Sequence, residues 1–257
     1  MKYACIIPCF NEVKRIEDIF IEINSINNKY LDWFILDNGS TDESYELMNK
    51  SLELFKNKNI YIIRKEKNNG YGAGIKFIIS LIFSNKIGTN LIQANDFINS
   101  YKAIGWTHAD GQTPLRDILS AQKILEKQKD NHFLIKGIRV QRNDKKISKL
   151  FTSFLSLIQI LFFNKNIISH NSQPTFVSTE LLNKIFLDTQ NSGLFDLSVS
   201  ILSLSYKCQI KRFPVIFYKR KSGDGANEKI MQKIGFSIEN IKFLWKMRGY
   251  SRLYKKN

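Results

Sequence analysis

Hydrophobic positions fall into short apolar runs that alternate with stretches of helical spacing. The first run, Tyr3 to Ile7, predicts a buried strand stopped by Pro8. Asn11 can then cap a helix carrying Val13, Ile16, Ile19, Phe20 and Ile23 on one face. Trp33 to Leu36 predicts a second strand. It runs into the acceptor-rich turn Asp37-Asn38-Gly39-Ser40-Thr41-Asp42 and a helix with Tyr45, Leu47, Met48, Leu52 and Phe55. Ile60 to Ile63 predicts a third, followed by Asn68-Asn69-Gly70-Tyr71-Gly72-Ala73-Gly74 and a helix to about Phe83. Strand, turn and helix thus repeat three times, each helix long enough for a crossover. That pattern predicts an α/β fold with a mainly parallel sheet and helices on both faces.

Lys86 to Ser100 fits either a loop or a short extra helix. Ala103 to Thr107 predicts a short strand, and Thr113-Pro114 then opens a helix to about Lys127, Thr as cap and Pro at its first position. Phe133 to Ile135 predicts another strand, and Lys136 to Arg142 sets three cations beside its end. Ile147 to Phe163 predicts a helix or helix pair, flanked by Lys145, Lys146, Lys149 and Lys165. It is either core or an interfacial element on a bilayer, and its poor amphipathicity favours core. Helices follow around Glu180 to Phe186 and Phe195 to Leu204. A strand spans Gln209 to Phe217, where Pro214 argues for a sheet edge. Arg220 to Gly225 predicts a mobile basic loop, and Ile230 to Tyr254 a basic amphipathic helix. Residues 1–227 are read as one domain and 228–257 as a basic tail.

Composition narrows the partners. Lys and Arg number 39 against 23 Asp and Glu, a formal net charge of +16, which suggests polyanions or anionic membrane surfaces. No helix-turn-helix, stacking-aromatic or zinc pattern accompanies it, so nucleic acid is not expected. Three cysteines, Cys5, Cys9 and Cys208, make no disulfide framework and fit a reducing, cytoplasmic setting. No signal peptide is expected, and Leu150 to Phe163 is shorter than the ~18–20 apolar residues of a membrane span. The GxGxG at Gly70 to Gly74 follows the third strand, and no acidic strand end comes ~20 residues later. It therefore predicts close helix–strand packing or a tight approach to a ligand rather than a dinucleotide site. No Ser-His-Asp or Cys-His order suggests a hydrolase, and of His108, His132 and His170 only His108 is a ligand candidate.

The candidate chemistry sits where the strand at 103–107 ends. His108, Asp110 and Gln112 alternate there and so project toward one side. Carboxyl ends of strands are where open α/β sheets bind ligands. Imidazole, carboxylate and amide oxygen suit a divalent cation that also holds a phosphate. The plainer alternative is a strand end with three solvated polar residues.

Four segments in order carry a resemblance: Ile6-Ile7-Pro8-Cys9-Phe10-Asn11-Glu12, Asp37 to Asp42, Asn69-Gly70-Tyr71-Gly72, and His108-Ala109-Asp110-Gly111-Gln112. Together they resemble the successive motifs of inverting family 2 glycosyltransferases with a GT-A fold. Within that family the single-domain dolichyl/polyprenyl-phosphate hexosyltransferase branch is most similar, over roughly Met1 to Gly225. The resemblance implies that Pro8, Phe10 and Glu12 line a nucleotide-sugar pocket, with Gly70, His108 and Ala109 part of it. Asp37 or Asn38 would contact the base. Asp110, helped by Gln112 and His108, would bind Mg²⁺ or Mn²⁺, which holds the donor diphosphate. Arg139 and Arg220 would neutralise the leaving diphosphate or an acceptor phosphate. Asp196 matches an acidic position that would serve as base for a hydroxyl acceptor, and Asp110, Asp196 and Arg220 form the catalytic set. A leaving diphosphate develops charge that cations stabilise, whereas a phosphate acceptor is already anionic and needs no base.

This chain departs from the family at His108, where the first Asp of Asp-x-Asp is usual. Asn171 and Gln173-Pro174 replace a more acidic, Gly-rich pattern, Gly225 stands where Ser is frequent, and the closing segment is not expected to form a transmembrane anchor. The expectation is a cytoplasmic enzyme, peripheral at the inner face of the membrane. It would move a hexose from a nucleotide sugar to a polyprenyl phosphate, with an anchoring partner subunit possible. The alternatives are a sugar hydroxyl acceptor in surface polysaccharide or lipopolysaccharide synthesis, or a non-catalytic nucleotide-sugar-binding homologue.

Overall fold

The computed structural model describes residues 2–26, 28–55, 59–84, 101–142, 146–163, 171–206, 208–219 and 230–255. The segment 86–100 and the basic loop 220–225 lie outside them. Seven strands form one sheet: β1 (Lys2–Cys9), β2 (Leu31–Asn38), β3 (Ile60–Lys65), β4 (Tyr101–Trp106), β5 (Phe133–Arg142), β6 (Thr175–Ser178) and β7 (Gln209–Phe217). Their order is β3-β2-β1-β4-β6-β5-β7. Neighbours are parallel except around β6, which runs antiparallel to both β4 and β5. The mainly parallel sheet expected from the apolar runs is therefore present. The antiparallel β6 was not foreseen, because four residues after Gln173-Pro174 carry too little pattern to separate strand from loop.

β1 runs through Pro8 to Cys9 instead of stopping there. Tyr3 N donates toward the β2 side and Ile6 O accepts Thr107 N on the β4 side, so even-numbered residues face β4. Pairing with β4 ends at Ile6, and the missing N–H of Pro8 thus costs no ladder bond. β7 lies at the sheet edge, where Pro214 is tolerated.

Eight α-helices are described: α1 (Val13–Ile26), α2 (Ser44–Phe55), α3 (Tyr71–Phe83), α4 (Ile118–Leu125), α5 (Lys146–Phe163), α6 (Thr179–Ile185), α7 (Phe195–Ser205) and α8 (Ile230–Lys255). Alternate β1 and β2 residues feed two cores. Cys5, Ile7, Trp33 and Ile35 pack with Ile16, Ile19 and Phe20 of α1. Ala4, Ile6, Phe34 and Leu36 pack with Ile75, Ile78 and Ile82 of α3 and with α7. Each fully buried aliphatic side chain contributes ~1.5–3 kcal/mol of transfer free energy. α8 packs on α5 and α7, and its Phe243, Leu244 and Met247 join the second core.

Asn11 does not cap α1 in the expected way. It adopts φ 53° and bonds across to the next turn, its Oδ1 accepting Thr41 N at 2.8 Å and its backbone N donating to Ser40 Oγ at 3.0 Å. The first turn of α1 is capped from outside: Asp42 Oδ2 accepts Val13 N and Ser44 Oγ accepts Glu12 N. Residues 40–44 thereby lock the end of β1 to the end of β2.

A short 3-10 turn, Leu115–Asp117, leads into α4. Burial, reinforced by Glu22, pushes the Asp117 carboxyl up to about 6. A raised carboxyl pKa means that ionisation opposes folding, so this contribution is absent below about pH 4 and costs stability as pH rises through about 6. Asp117→Asn should therefore raise stability by roughly 1–2 kcal/mol at pH 8, after discounting for solvent screening, and by almost nothing near pH 4. Urea unfolding at the two pH values checks this; an equal gain at both would contradict the burial argument.

Candidate active site

β2 and β3 extend the sheet to one side of β1, and β4 begins the other, so the order reverses between β1 and β4. The crevice at the carboxyl ends of these strands is where such sheets hold ligands. Three chain segments reach it: Pro8 to Glu12 from β1, Asp37 to Ser40 from β2, and Thr107 to Gln112 from β4. Phe10 is 43% exposed at its mouth, whereas Glu12 is buried behind it.

Asp37 is fully buried. Its Oδ1 accepts Ser40 N at 3.0 Å, and its Oδ2 lies 3.2 Å from Arg64 Nε, whose guanidinium stacks on Tyr45. Asn38 turns toward the loop after β3, its Nδ2 donating to Asn68 Oδ1 at 3.1 Å and to Gly70 O at 3.3 Å. It ties β2 to the start of α3, and Gly74, packed on Leu36 and Asn38, completes that join. A Cβ on Gly74 would lie 3.0 Å from Leu36 Cδ2, the close helix–strand packing expected of the glycine run, while a Cβ on Gly72 would lie 2.5 Å from Ser192 O.

The turn after β4 is gripped from both faces of the sheet. From the α1 side, buried Arg15 donates through Nε to Ala109 O at 3.4 Å and pairs with Asp18 and, at 3.2 Å, with Glu22. Gly111, at φ 71°, lies over the same guanidinium, where a Cβ would come within 3.0 Å. Glu22 Oε2 in turn accepts Leu115 N at 2.9 Å. From the α7 side, the Tyr71 ring packs against the His108 imidazole, centroids 5.3 Å apart. Between these holds, Asp110 Oδ1 accepts Gln112 N at 3.0 Å. Gln112 is clasped twice by Tyr218 just beyond β7: its O accepts Tyr218 N at 2.8 Å, and its Nε2 donates to Tyr218 O at 3.2 Å. Its Oε1 remains as the amide atom suited to a cation.

Asp196, in the first turn of α7, is buried. Its Oδ1 accepts Trp106 Nε1 at 2.8 Å and Gln173 Nε2 at 2.9 Å, with Lys136 Nζ 3.6 Å away. Burial lowers the Lys136 pKa, and burial followed by Asp196 raises that of the Tyr71 hydroxyl well above its ordinary value. Arg139 stacks 3.7 Å over the Phe217 ring and donates from Nη2 to Asn171 O at 2.7 Å. Arg220 lies outside the described residues.

The structure thus brings Pro8, Phe10, Glu12, Asp37, Asn38, Gly70, His108, Ala109, Asp110 and Gln112 to one edge of the sheet. Sequence reasoning missed Arg15, Arg64, Tyr71 and Lys136. Tyr71 stood within the Asn69–Gly72 motif and Lys136 within a basic run, neither with a role read for it, and Arg15 left a trace as a cation beside the apolar positions of α1. Among the described residues no group of three or more His, Cys, Asp and Glu could hold a metal ion. The donor set fits one bound the other way, by one carboxylate and an amide oxygen with ligand phosphates completing the sphere, as Mg²⁺ commonly is.

A profile described as Glycosyl transferase family 2 matches residues 4–165. An uncharacterised protein of Methanocaldococcus jannaschii is 31% identical over 171 residues, 62% of this chain and 63% of that protein's length. Among solved structures, a mycobacterial protein superposes with a TM-score of 0.70 at 11% identity, covering 96% of this chain and 75% of the other. Glucosyl-3-phosphoglycerate synthase from Mycobacterium tuberculosis, in complex with uridine diphosphate, gives 0.67 at 13% identity, covering 96% and 80%. The same enzyme with Mn²⁺, uridine diphosphate and glucosyl-3-phosphoglycerate gives 0.63 at 13%, covering 96% and 79%. At these identities the solved structures establish a shared fold.

Arg15→Lys retains charge but loses the fork that spans Ala109 O, Asp18 and Glu22. Urea unfolding should register a loss of about 2–4 kcal/mol, and Arg15→Met at least as much, because Glu22 is then left facing Leu115 alone. A loss below about 0.5 kcal/mol would mean that the turn does not depend on this hold.

Proposed function

The chain belongs to glycosyl transferase family 2, and from that premise we propose that it transfers a hexose, with inversion, from a nucleotide-diphosphate sugar to a polyprenyl-phosphate acceptor. One observation carries the reading: Glu12, Asp37 and the Asp110 turn converge at the reversal of strand order between β1 and β4. Phe10 and the Asp37–Arg64 pair wall the base end of the crevice, while Asp110 and Gln112 lie at the diphosphate end. Asp110, with Gln112 Oε1 and His108 as further candidates, would hold Mg²⁺ or Mn²⁺. When bound, that cation supplies electrostatic stabilisation of the leaving diphosphate. Complexes of the mycobacterial synthase hold Mn²⁺ or Mg²⁺ with uridine diphosphate, which makes uridine the first base to test here.

The choice of acceptor is supported by the setting of Asp196. The carboxylate that would serve a hydroxyl acceptor as base is buried beneath donors from Trp106 and Gln173. An acceptor that is already anionic needs no such base, and Arg139 offers a guanidinium on that side.

A peripheral position at anionic lipid is supported by α5 and α8, which pack side by side. Among the described residues no helix is long and apolar enough to cross a membrane. Yet on the outward side of α5, Phe154, Leu157 and Leu161 are 51%, 56% and 75% exposed. On α8, Met231, Ile238 and Trp245 form a similar stripe beside Lys242 and Lys246, and Arg248 stacks on Trp245. α8 carries six basic residues and one acidic, a balance that opposes self-association and favours an anionic surface. An apolar strip bordered by cations is the signature of an interfacial helix.

Thermal shift with UDP-, GDP- and dTDP-sugars, with and without Mn²⁺, tests the donor site. At a hundredfold excess over Kd one nucleotide should add about 2.7 kcal/mol of stability, only with metal and not in Asp110→Ala. A shift indifferent to both changes would refute the assignment of Asp110. Flotation with phosphatidylglycerol-containing vesicles tests the surface: the protein should rise with them, and Leu157→Gln/Leu161→Gln should stay at the bottom with its melting unchanged. Wild-type protein left at the bottom would remove the membrane from the proposal.

A further inference from the structure

Asp196 gathers four parts of the chain around one carboxylate. Trp106 is the last residue of β4, two before His108; Lys136 lies on β5; Gln173 precedes β6; and Tyr71 opens α3. Trp106 and Gln173 both donate to Oδ1, and Lys136 approaches the same atom. The Tyr71 hydroxyl also hydrogen-bonds to Asp196 and receives Gln173 Nε2 at 3.1 Å. Lys136, buried as deeply, makes one further bond, to Thr175 Oγ1 at 3.2 Å. A proton-accepting base needs a lone pair directed at the acceptor, and this carboxylate is 2% exposed with its Oδ1 committed to Trp106, Gln173 and Lys136.

We propose that Asp196 is a positioning residue and not the base: paired with Lys136, it fixes Trp106 and Tyr71, and through the Tyr71–His108 ring contact it sets the Asp110 turn for a metal-bound diphosphate. The role rests on the donor-site reading above. The pair contributes charge balance as well as geometry. Either member alone would leave a buried ion without its counter-charge, whereas removing both leaves a neutral cluster of similar volume. Asp196→Asn keeps a carbonyl oxygen for Trp106 and Gln173, and Lys136→Met keeps the length of the stem. The double variant therefore retains the architecture without ions.

Wild type, Asp196→Asn, Lys136→Met and the double variant are titrated with uridine diphosphate in the presence of Mn²⁺ by calorimetry, and their thermal unfolding is followed in parallel. Each single variant should bind about tenfold or more weakly, the scale of losing an outer partner of a metal ligand. Each should also melt roughly 6–12 °C lower. The double variant should recover most of both. Tyr71→Phe, which keeps the ring but not the hydroxyl, should weaken binding while melting close to wild type. Asp196→Asn that binds uridine diphosphate and Mn²⁺ as wild type does would overturn the positioning role and return Asp196 to the position of a base. A double variant no better than its worse single parent would overturn the pairing. Wild-type protein indifferent to uridine diphosphate and Mn²⁺ would sink the donor-site reading and the positioning role with it. The melting cycle would then still decide whether the two charges are coupled.

Discussion

A single buried carboxylate constrains the region around the end of β4. Placing Asp196 inside the protein requires donors for its oxygens and a cation nearby, and the fold supplies Trp106, Gln173, Tyr71 and Lys136 from four separate elements. Each partner is thereby pinned. Trp106 cannot turn without stranding its buried indole N–H, and Tyr71 cannot leave His108 without losing the hydroxyl's bonds. Unpaired buried polar groups are expensive enough that such a cluster moves as one body or not at all. On the opposite face Arg15 does a comparable job with a guanidinium, holding Ala109 and the carboxylates of α1. The polar turn between them is rigid because charge was buried behind it twice.

This arrangement explains the character of the crevice. Its floor is made of strand ends whose side chains are mostly committed to neighbouring groups: Asn38 to Asn68 and Gly70, Asn11 to Thr41, Gln112 to Tyr218. Few groups remain free to rearrange when a ligand arrives, which is the condition for electrostatic preorganisation. The same commitment accounts for the glycine run at the start of α3. There the backbone of the segment at 191–192 approaches so closely that only a hydrogen fits at Gly72.

Most of the parallel half was legible in the sequence, since buried strands there are continuous apolar runs bounded by turn residues and the helices show one-sided periodicity. The strand-end motifs were legible for the same reason, because polar residues appear abruptly where apolar runs stop. What escaped was set by contacts between distant positions. No local signal distinguishes β6, whose four residues pair with two neighbours, or tells that Asp42 rather than Asn11 caps α1. Lys136 reads as one cation in a basic run until the fold shows it buried beside Asp196, 60 positions away in the chain. Asp196 itself was read from the family pattern as an acidic position, and its enclosure could only come from the structure. The outward apolar side of α5 is a related case: its weak amphipathicity suggested core, whereas one side packs and the other remains open.

The double clasp between Gln112 and Tyr218 bears on modularity. The recognisable motifs and the family match lie within residues 4–165, yet the backbone and side chain of Gln112 are anchored by a residue beyond that span. Lys136 finds its counter-charge there too, and β5 its outer neighbour β7. The portion bearing the motifs is therefore not a transplantable unit. A chimera joined near residue 165 from two relatives would inherit a donor crevice from one parent and its supports from the other. Its success would turn on whether Gln112, Lys136, Asp196 and Tyr218 arrived as a matched set.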